Sequence, residues 1–265
     1  MGIASGARAA EQPLWEFGLG VGAIVFNDYR GASDLRVYPV PVPYFLYRGD
    51  ILRADRDGAH ARFFDERFVT FDISVNATAP VFSSNSGARA GMPDLKSTIE
   101  VGPSLQWHLW RASDDWLRLD LRTPFREAFT IAAPPQAIGA LAAPQLAADF
   151  RPRSGLATGW NLGLLAGPLY AQRRYHEYFY AVAPQYATPS RPVYEPAGGY
   201  SGTQLLGSLS RRYKDYWVGA YLRHDWLQGA AFQSSPLVQQ RSYWSGGFGF
   251  VWMISASSRT VDSNE

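Results

Sequence analysis

The sequence predicts an all-β fold class: a single antiparallel transmembrane β-barrel of about 12 strands, with 10 as the alternative, and periplasmic termini. Three observations predict it. Apolar and polar residues alternate with period two in segment after segment, short and long connections alternate between those segments, and Trp residues gather near the segment ends.

Residues 1–13 come first and read as a lead. Ala7-Arg8-Ala9 has the small-x-small form of a signal-peptidase site, and two readings follow: translation begins upstream of Met1 with an apolar leader, or the stretch is an Ala-rich disordered lead. The barrel is expected over 14–254 and a polar tail over 255–265. Strands are expected at 14–26, 35–47, 51–64, 69–79, 99–109, 116–122, 138–150, 159–170, 201–212, 218–226 and 238–254. That total is odd, whereas single-chain bacterial barrels use even numbers, so one assignment must be wrong, and 51–64 is the suspect. Asp57-Gly58 supplies a hairpin turn that splits 51–64.

The alternation is clearest in the middle and toward the C-terminus. Val69, Phe71, Ile73 and Val75 oppose Thr70, Asp72, Ser74 and Asn76, and Ile99, Val101, Leu105 and Trp107 oppose Glu100, Ser104, Gln106 and His108. Leu117, Leu119 and Leu121 then oppose Arg118, Asp120 and Arg122, while Val218, Ala220, Leu222 and Trp226 oppose Gly219, Tyr221, Arg223 and Asp225. Short turns are expected at 111–115, 212–215 and Arg48-Gly49-Asp50, and Pro/Gly/Ser-rich links at 83–96, 130–137 and 183–200. No amphipathic helix of useful length competes; the aromatic run from Tyr175 to Tyr180 reads as the end of a strand at an outer rim.

Composition excludes several alternatives. Without Cys there is no disulfide scaffold and no thiolate metal site. The formal charge is +2 and the basic residues are scattered singly, so no nucleic-acid footprint is present. The stretch 131–148 lacks charge but contains Pro134, Pro135 and Pro144, which a spanning helix rarely accumulates. Gly18-x-Gly20-x-Gly22 lies inside an alternating run rather than between a strand and a helix. It is expected to relieve crowding on the lumen face, not to cradle a dinucleotide.

Two residue sets follow. Asp72, Glu100, Arg118, Asp120, Arg122, Arg223 and Asp225 are expected to line the lumen, neutralising one another by interleaved pairing. Trp15, Trp107, Trp116, Trp160, Trp217, Trp226, Trp244 and Trp252 are expected as membrane-interface aromatics, ring in lipid and N–H in water. The four His show no metal-ligand spacing, and no Ser, His and acid cluster is identifiable. No catalytic residues, no metal and no cofactor are expected.

Several pieces in order resemble the MltA-interacting protein/OmpV family of outer-membrane proteins. They are Gly18-Leu19-Gly20-Val21-Gly22, then Tyr38-Pro39-Val40-Pro41 running to Tyr47-Arg48-Gly49, and Leu105-Gln106-Trp107 before a short turn. Toward the C-terminus come Tyr175, Tyr178-Phe179 and Val182-Ala183, then Arg191-Pro192-Val193-Tyr194 and Trp217-Val218-Gly219. Ser235-Pro236-Leu237-Val238 and Gly246-Gly247-Phe248-Gly249-Phe250 complete the set. Two departures stand out: Ile254 takes the place of the family's final aromatic, and 83–96 carries Arg89, Asp94 and Lys96 where relatives have an acidic loop.

The resemblance implies a Gram-negative outer-membrane location, contact with outer-membrane lipid and lipopolysaccharide, and association with murein hydrolase and synthase proteins. The expected function is therefore a non-enzymatic barrel scaffold docking such enzymes through periplasmic turns. The alternative is a narrow pore or small-ligand-binding barrel, and a third reading is a barrel hydrolase.

Overall fold

The structure, a computed structural model, describes residues 11–48, 52–55, 58–61, 64–66, 68–113, 115–152 and 154–262. In order the strands are β1 (Glu11–Pro13), β2 (Trp15–Asn27), β3 (Leu35–Arg48), β4 (Leu52–Asp55), β5 (Gly58–Ala61), β6 (Phe64–Glu66), β7 (Val69–Thr78) and β8 (Thr98–Arg111). Then follow β9 (Leu117–Thr130), β10 (Ala137–Ala142), β11 (Gln145–Phe150), β12 (Trp160–Ala171), the helix α1 (Arg173–Tyr180), β13 (Gly199–Arg212), β14 (Tyr216–Trp226), β15 (Ser242–Ala256) and β16 (Thr260–Asp262). No helix among the described residues is long and apolar enough to cross a membrane.

All but β1 and β16 join one antiparallel sheet, which holds 14 strands among the described residues. Its path runs β5-β4-β3-β2-β15-β14-β13-β12-β10-β9-β8-β7-β6, and β11 bridges β9 and β12 beside β10. The N-terminal strand β2 and the C-terminal strand β15 are partners, Glu16 opposite Ala256 and Val25 opposite Gly246. The sheet curls until β5, at one end of the path, lies alongside β7 near the other.

The strand number exceeds the expected 12 for two local reasons. The segment expected at 138–150 breaks between β10 and β11, because Pro144 has no N–H for the ladder. The region 51–66 contributes three short pieces, of which β4 and β5 pair as a hairpin, Asp55 opposite Gly58. Asp57 itself, with Gly49 and Asp50 of the Arg48-Gly49-Asp50 turn and the Ala7-Arg8-Ala9 lead, lies outside the described residues. The presumed lead and tail meet: β1 pairs with β16, Glu11 opposite Asp262.

Because sequential long strands are antiparallel, connections 28–34, 79–97, 131–136, 172–198 and 227–241 emerge at one end of the sheet. The short connections after β8, β11 and β13 lead to the other end. The long connections are ordered against one another. Leu227, Phe232, Leu237, Val182, Phe179, Tyr180, Ala32 and Val81 form an apolar core at that end, and Phe232 stacks on Tyr180 with ring centroids 3.7 Å apart.

The Tyr175–Tyr180 run is helix α1 at the centre of this cap, not the end of a strand. His176, Phe179 and Tyr180, at i, i+3 and i+4, bury one helix face, while Arg173 and Glu177 pair across one turn at 2.6 Å on the exposed side. Arg89 is buried beside it, donating to the carbonyls of Phe179 and Pro93 at 3.1 Å.

Candidate functional site

Residues of every long strand line a single cavity of about 1320 Å³. Its lining runs from Ile24 of β2 and Val42 of β3 through Asp72, Gln106, Asp120 and Asp149 to Leu206, Trp217 and Gly249. Residues from both halves of the strand path therefore enclose one space, which identifies the concave face. The opposite face carries the exposed apolar residues. In β2, Val21 is 62% exposed whereas Glu16 is 6% exposed, the reverse of a water-soluble sheet.

Registry explains the character of each wall. Thr70 stands opposite Gln106, and Gln106 opposite Arg122; His108 stands opposite Asp120, and Asp120 opposite Ala147. This places the polar residues of β7, β8, β9 and β11 side by side. On either side of them, β2, β3, β12 and β13 present Ile24, Val40, Val42, Leu165 and Leu206. The glycine run of β2 also faces inward. A methyl group at Gly20 would lie 1.9 Å from the Phe250 carbonyl oxygen, so only a hydrogen fits against β15 there.

The expected lumen residues share this concave face but divide into groups. Asp72, Arg118, Asp120 and Arg122 line the cavity. Arg122 reaches Asp149 at 3.4 Å and Arg118 reaches Asp115 at 3.6 Å. Glu100, Arg223 and Asp225 lie nearer the cap and outside that lining. Glu100 accepts from Arg126 at 3.1 Å, from Asn76 at 3.1 Å and from the Tyr175 hydroxyl of α1 at 2.8 Å. Asp225 accepts from Arg30 at 3.0 Å, Arg223 at 2.9 Å and Gln204 at 2.8 Å, and Arg30 also donates to the Ser201 carbonyl at 2.7 Å. Both carboxylates thus bind the cap to the strand wall.

Thr70 and Gln106, which the sequence offers only as polar-face positions, join His108 and Asp120 in the site. Thr70 Oγ1 lies 2.9 Å from His108 Nε2, His108 Nδ1 lies 2.8 Å from Asp120 Oδ1, and Gln106 donates to Asp120 Oδ2 at 2.8 Å. Each member was visible on the polar face of its own strand, but only pairing register brings them together. Arg30 and Arg126 were missed for the same reason. Within the cap, burial pushes the His176 imidazole below its ordinary range and the Tyr175 and Tyr180 hydroxyls above theirs.

Among the Trp residues, Trp116, Trp226, Trp244 and Trp252 are exposed on the convex side, and Trp15, Trp107 and Trp160 share that side with less exposure. Trp226 and Trp244 lie at the cap end, the others toward the short turns. Trp217 differs from the expectation. It points into the concave space, covers Gly219 and sits 6.1 Å from the Tyr44 ring, because it pairs with Arg212 and Val251 on the inward register. The structure contains no group of His, Asp or Glu able to hold a metal among the described residues.

Compared with curated protein sequences, the chain has no significant match. Among solved structures it is similar to the P. putida toluene transporter TodX, at 13% identity over 95% of this chain and 69% of that one, TM-score 0.28. It is also similar to the CymD monoaromatic hydrocarbon channel, at 11% identity over 92% and 89%, TM-score 0.31. A third is outer membrane protein OprG from Pseudomonas aeruginosa, at 7% identity over 94% and 95%, TM-score 0.23. The sequence pattern is more specific: the family described as MltA-interacting protein MipA matches over residues 19–254, and the chain belongs to that family.

Proposed function

We propose that the protein is a closed β-barrel of the Gram-negative outer membrane, with termini and short turns in the periplasm and the cap facing outward. Its role in this reading is structural: the short turns dock murein hydrolase or synthase proteins, the kind of partner the family name specifies. The observation that carries it is the inverted wall, apolar on the convex face and charged on the concave face, with the apolar cap at one end. A convex face bearing Leu19, Val21, Leu164, Leu222 and Phe248 fits lipid and lipopolysaccharide acyl chains, not water.

Two measurements test it. Folded protein should migrate differently before and after boiling, and in planar bilayers the cap should hold conductance to rare, brief events. Identical mobility in both states would reject the barrel, and steady openings would reject an end closed by the cap. For docking, purified protein should retain a murein hydrolase of the MltA type, and replacement of residues 213–215 should release it. The cavity of about 1320 Å³ favours a second reading, a barrel that admits a small ligand from the periplasmic side.

A further inference from the structure

Three hydroxyl–imidazole pairs occur among the described residues, and they differ in what holds the second ring nitrogen. His176 meets the Ser201 hydroxyl, but its Nδ1 is occupied by the Ala197 carbonyl and both residues are buried under the cap. His224 meets Ser242 at 2.9 Å, yet its Nδ1 is buried without a hydrogen-bond partner. His108 alone has a carboxylate there.

The arrangement around His108 fixes a tautomer. An ionised Asp120 can only accept, so Nδ1 carries the proton and Nε2 offers its lone pair to the Thr70 hydroxyl. Gln106 holds the far carboxylate oxygen, and β7, β8 and β9 supply these residues from adjacent strands in fixed register. The hydroxyl, base and orienting acid are thus connected in the order used for acyl transfer. All three line the cavity together with Arg118 and Arg122, and the cavity reaches the short-turn end at Arg111 and Trp217.

We propose that Thr70, His108 and Asp120 constitute a catalytic relay that hydrolyses carboxylic esters with an apolar acyl group, admitted from the short-turn end. This activity goes beyond the docking role and does not depend on it. Thr70 Oγ forms a bond to the ester carbonyl carbon as its proton passes to His108 Nε2. The carbon–oxygen bond to the alcohol then breaks, and His108 returns the proton to the departing oxygen. Water attacks the acyl-threonine, gives its proton to His108 and releases the carboxylic acid, and the Thr70 hydroxyl is restored. The guanidinium groups of Arg118 and Arg122 supply the positive field for the oxyanion, a task that strand amides engaged in the ladder cannot take. Val40, Val42, Leu165 and Leu206, which line the same cavity, accept the acyl chain. Asp120 is a positioning residue.

The experiment uses the full chain in alkyl maltoside micelles, with folding checked for every variant by the boiling-dependent gel shift. Nitrophenyl esters of butyrate and octanoate report turnover, and a fluorophosphonate probe reports the nucleophile by peptide mapping. The wild type is expected to turn over ester and carry the label on Thr70. Thr70→Ala and His108→Ala should lose about 10²–10⁴-fold. Thr70→Ser should match or exceed the wild type, since a primary hydroxyl is less hindered. Asp120→Asn should lower turnover and also change the pH–rate profile, which a merely structural loss would leave in place. Wild-type turnover equal to that of a folded Thr70→Ala variant, or label mapped elsewhere, overturns the proposal. Loss of the gel shift in the wild type would instead count against the barrel.

Discussion

The strand wall and the loop cap bury opposite kinds of residue. In the wall, Leu164, Leu205, Leu222 and Phe248 face outward and Glu100, Asp120 and Asp225 are buried; in the cap, Leu227, Phe232 and Leu237 are buried. The cap obeys the rule for proteins folded in water, where removal of apolar area drives order. The wall obeys the rule for a lipid surround, where backbone ladders and interior ion pairs must satisfy every polar group. In the proposed membrane setting one chain needs two solvents, and the carboxylates of Glu100 and Asp225 join the wall to the cap.

Wall and cap can each be perturbed separately. Phe232→Ala removes a fully buried ring stacked on Tyr180 and should cost the cap about 4 kcal/mol. Proteolysis within 183–198 should then accelerate while the gel shift persists; joint loss of both would mean that wall and cap are one cooperative unit. Asp225→Ala leaves Arg30 and Arg223 without their buried carboxylate and should destabilise by about 3 kcal/mol. Urea unfolding in micelles measures this, and an effect near zero would show that the connection between the two parts is dispensable.

Leu164→Arg probes the wall alone. A guanidinium on the convex face should cost about 2 kcal/mol in bilayers, and much less if that face met water. Vesicle-refolding yields distinguish the two. The smallest effect concerns His176. Burial lowers its folded-state pKa, so the unfolded chain takes up the proton first as pH falls. The stabilisation is complete above the ordinary value of 6.5 and is lost as pH drops below it toward the folded value. Protection factors of the amides in 173–180 should fall in mildly acidic buffer, and His176→Gln should flatten that dependence.

Much of the wall was legible in the sequence, because period-two alternation is a local property. Val69 to Asn76 declares two faces without any partner, and Asp72, Arg118 and Asp225 could be assigned a side from their neighbours alone. Trp217 failed because rim position and facing direction are separate properties: it lies at the short-turn end, but register with Arg212 and Val251 turns it inward. Helix α1 was hidden because eight residues give barely two turns of periodicity, and an aromatic run has strand propensity. The Thr70, His108 and Asp120 cluster depends on pairing across three strands, which no single segment encodes.

The partnership of β2 with β15 bears on how the molecule is made. Glu16 finds Ala256, so the first long strand waits with an unsatisfied edge until nearly the whole chain exists. Contacts so distant in sequence form slowly, since the entropy of a long loop is lost before the pairing compensates. Synthesis order thus makes the two ends of the chain the last to meet, and a chain cut before β15 would present two open edges, on β2 and β14, to any neighbouring polypeptide.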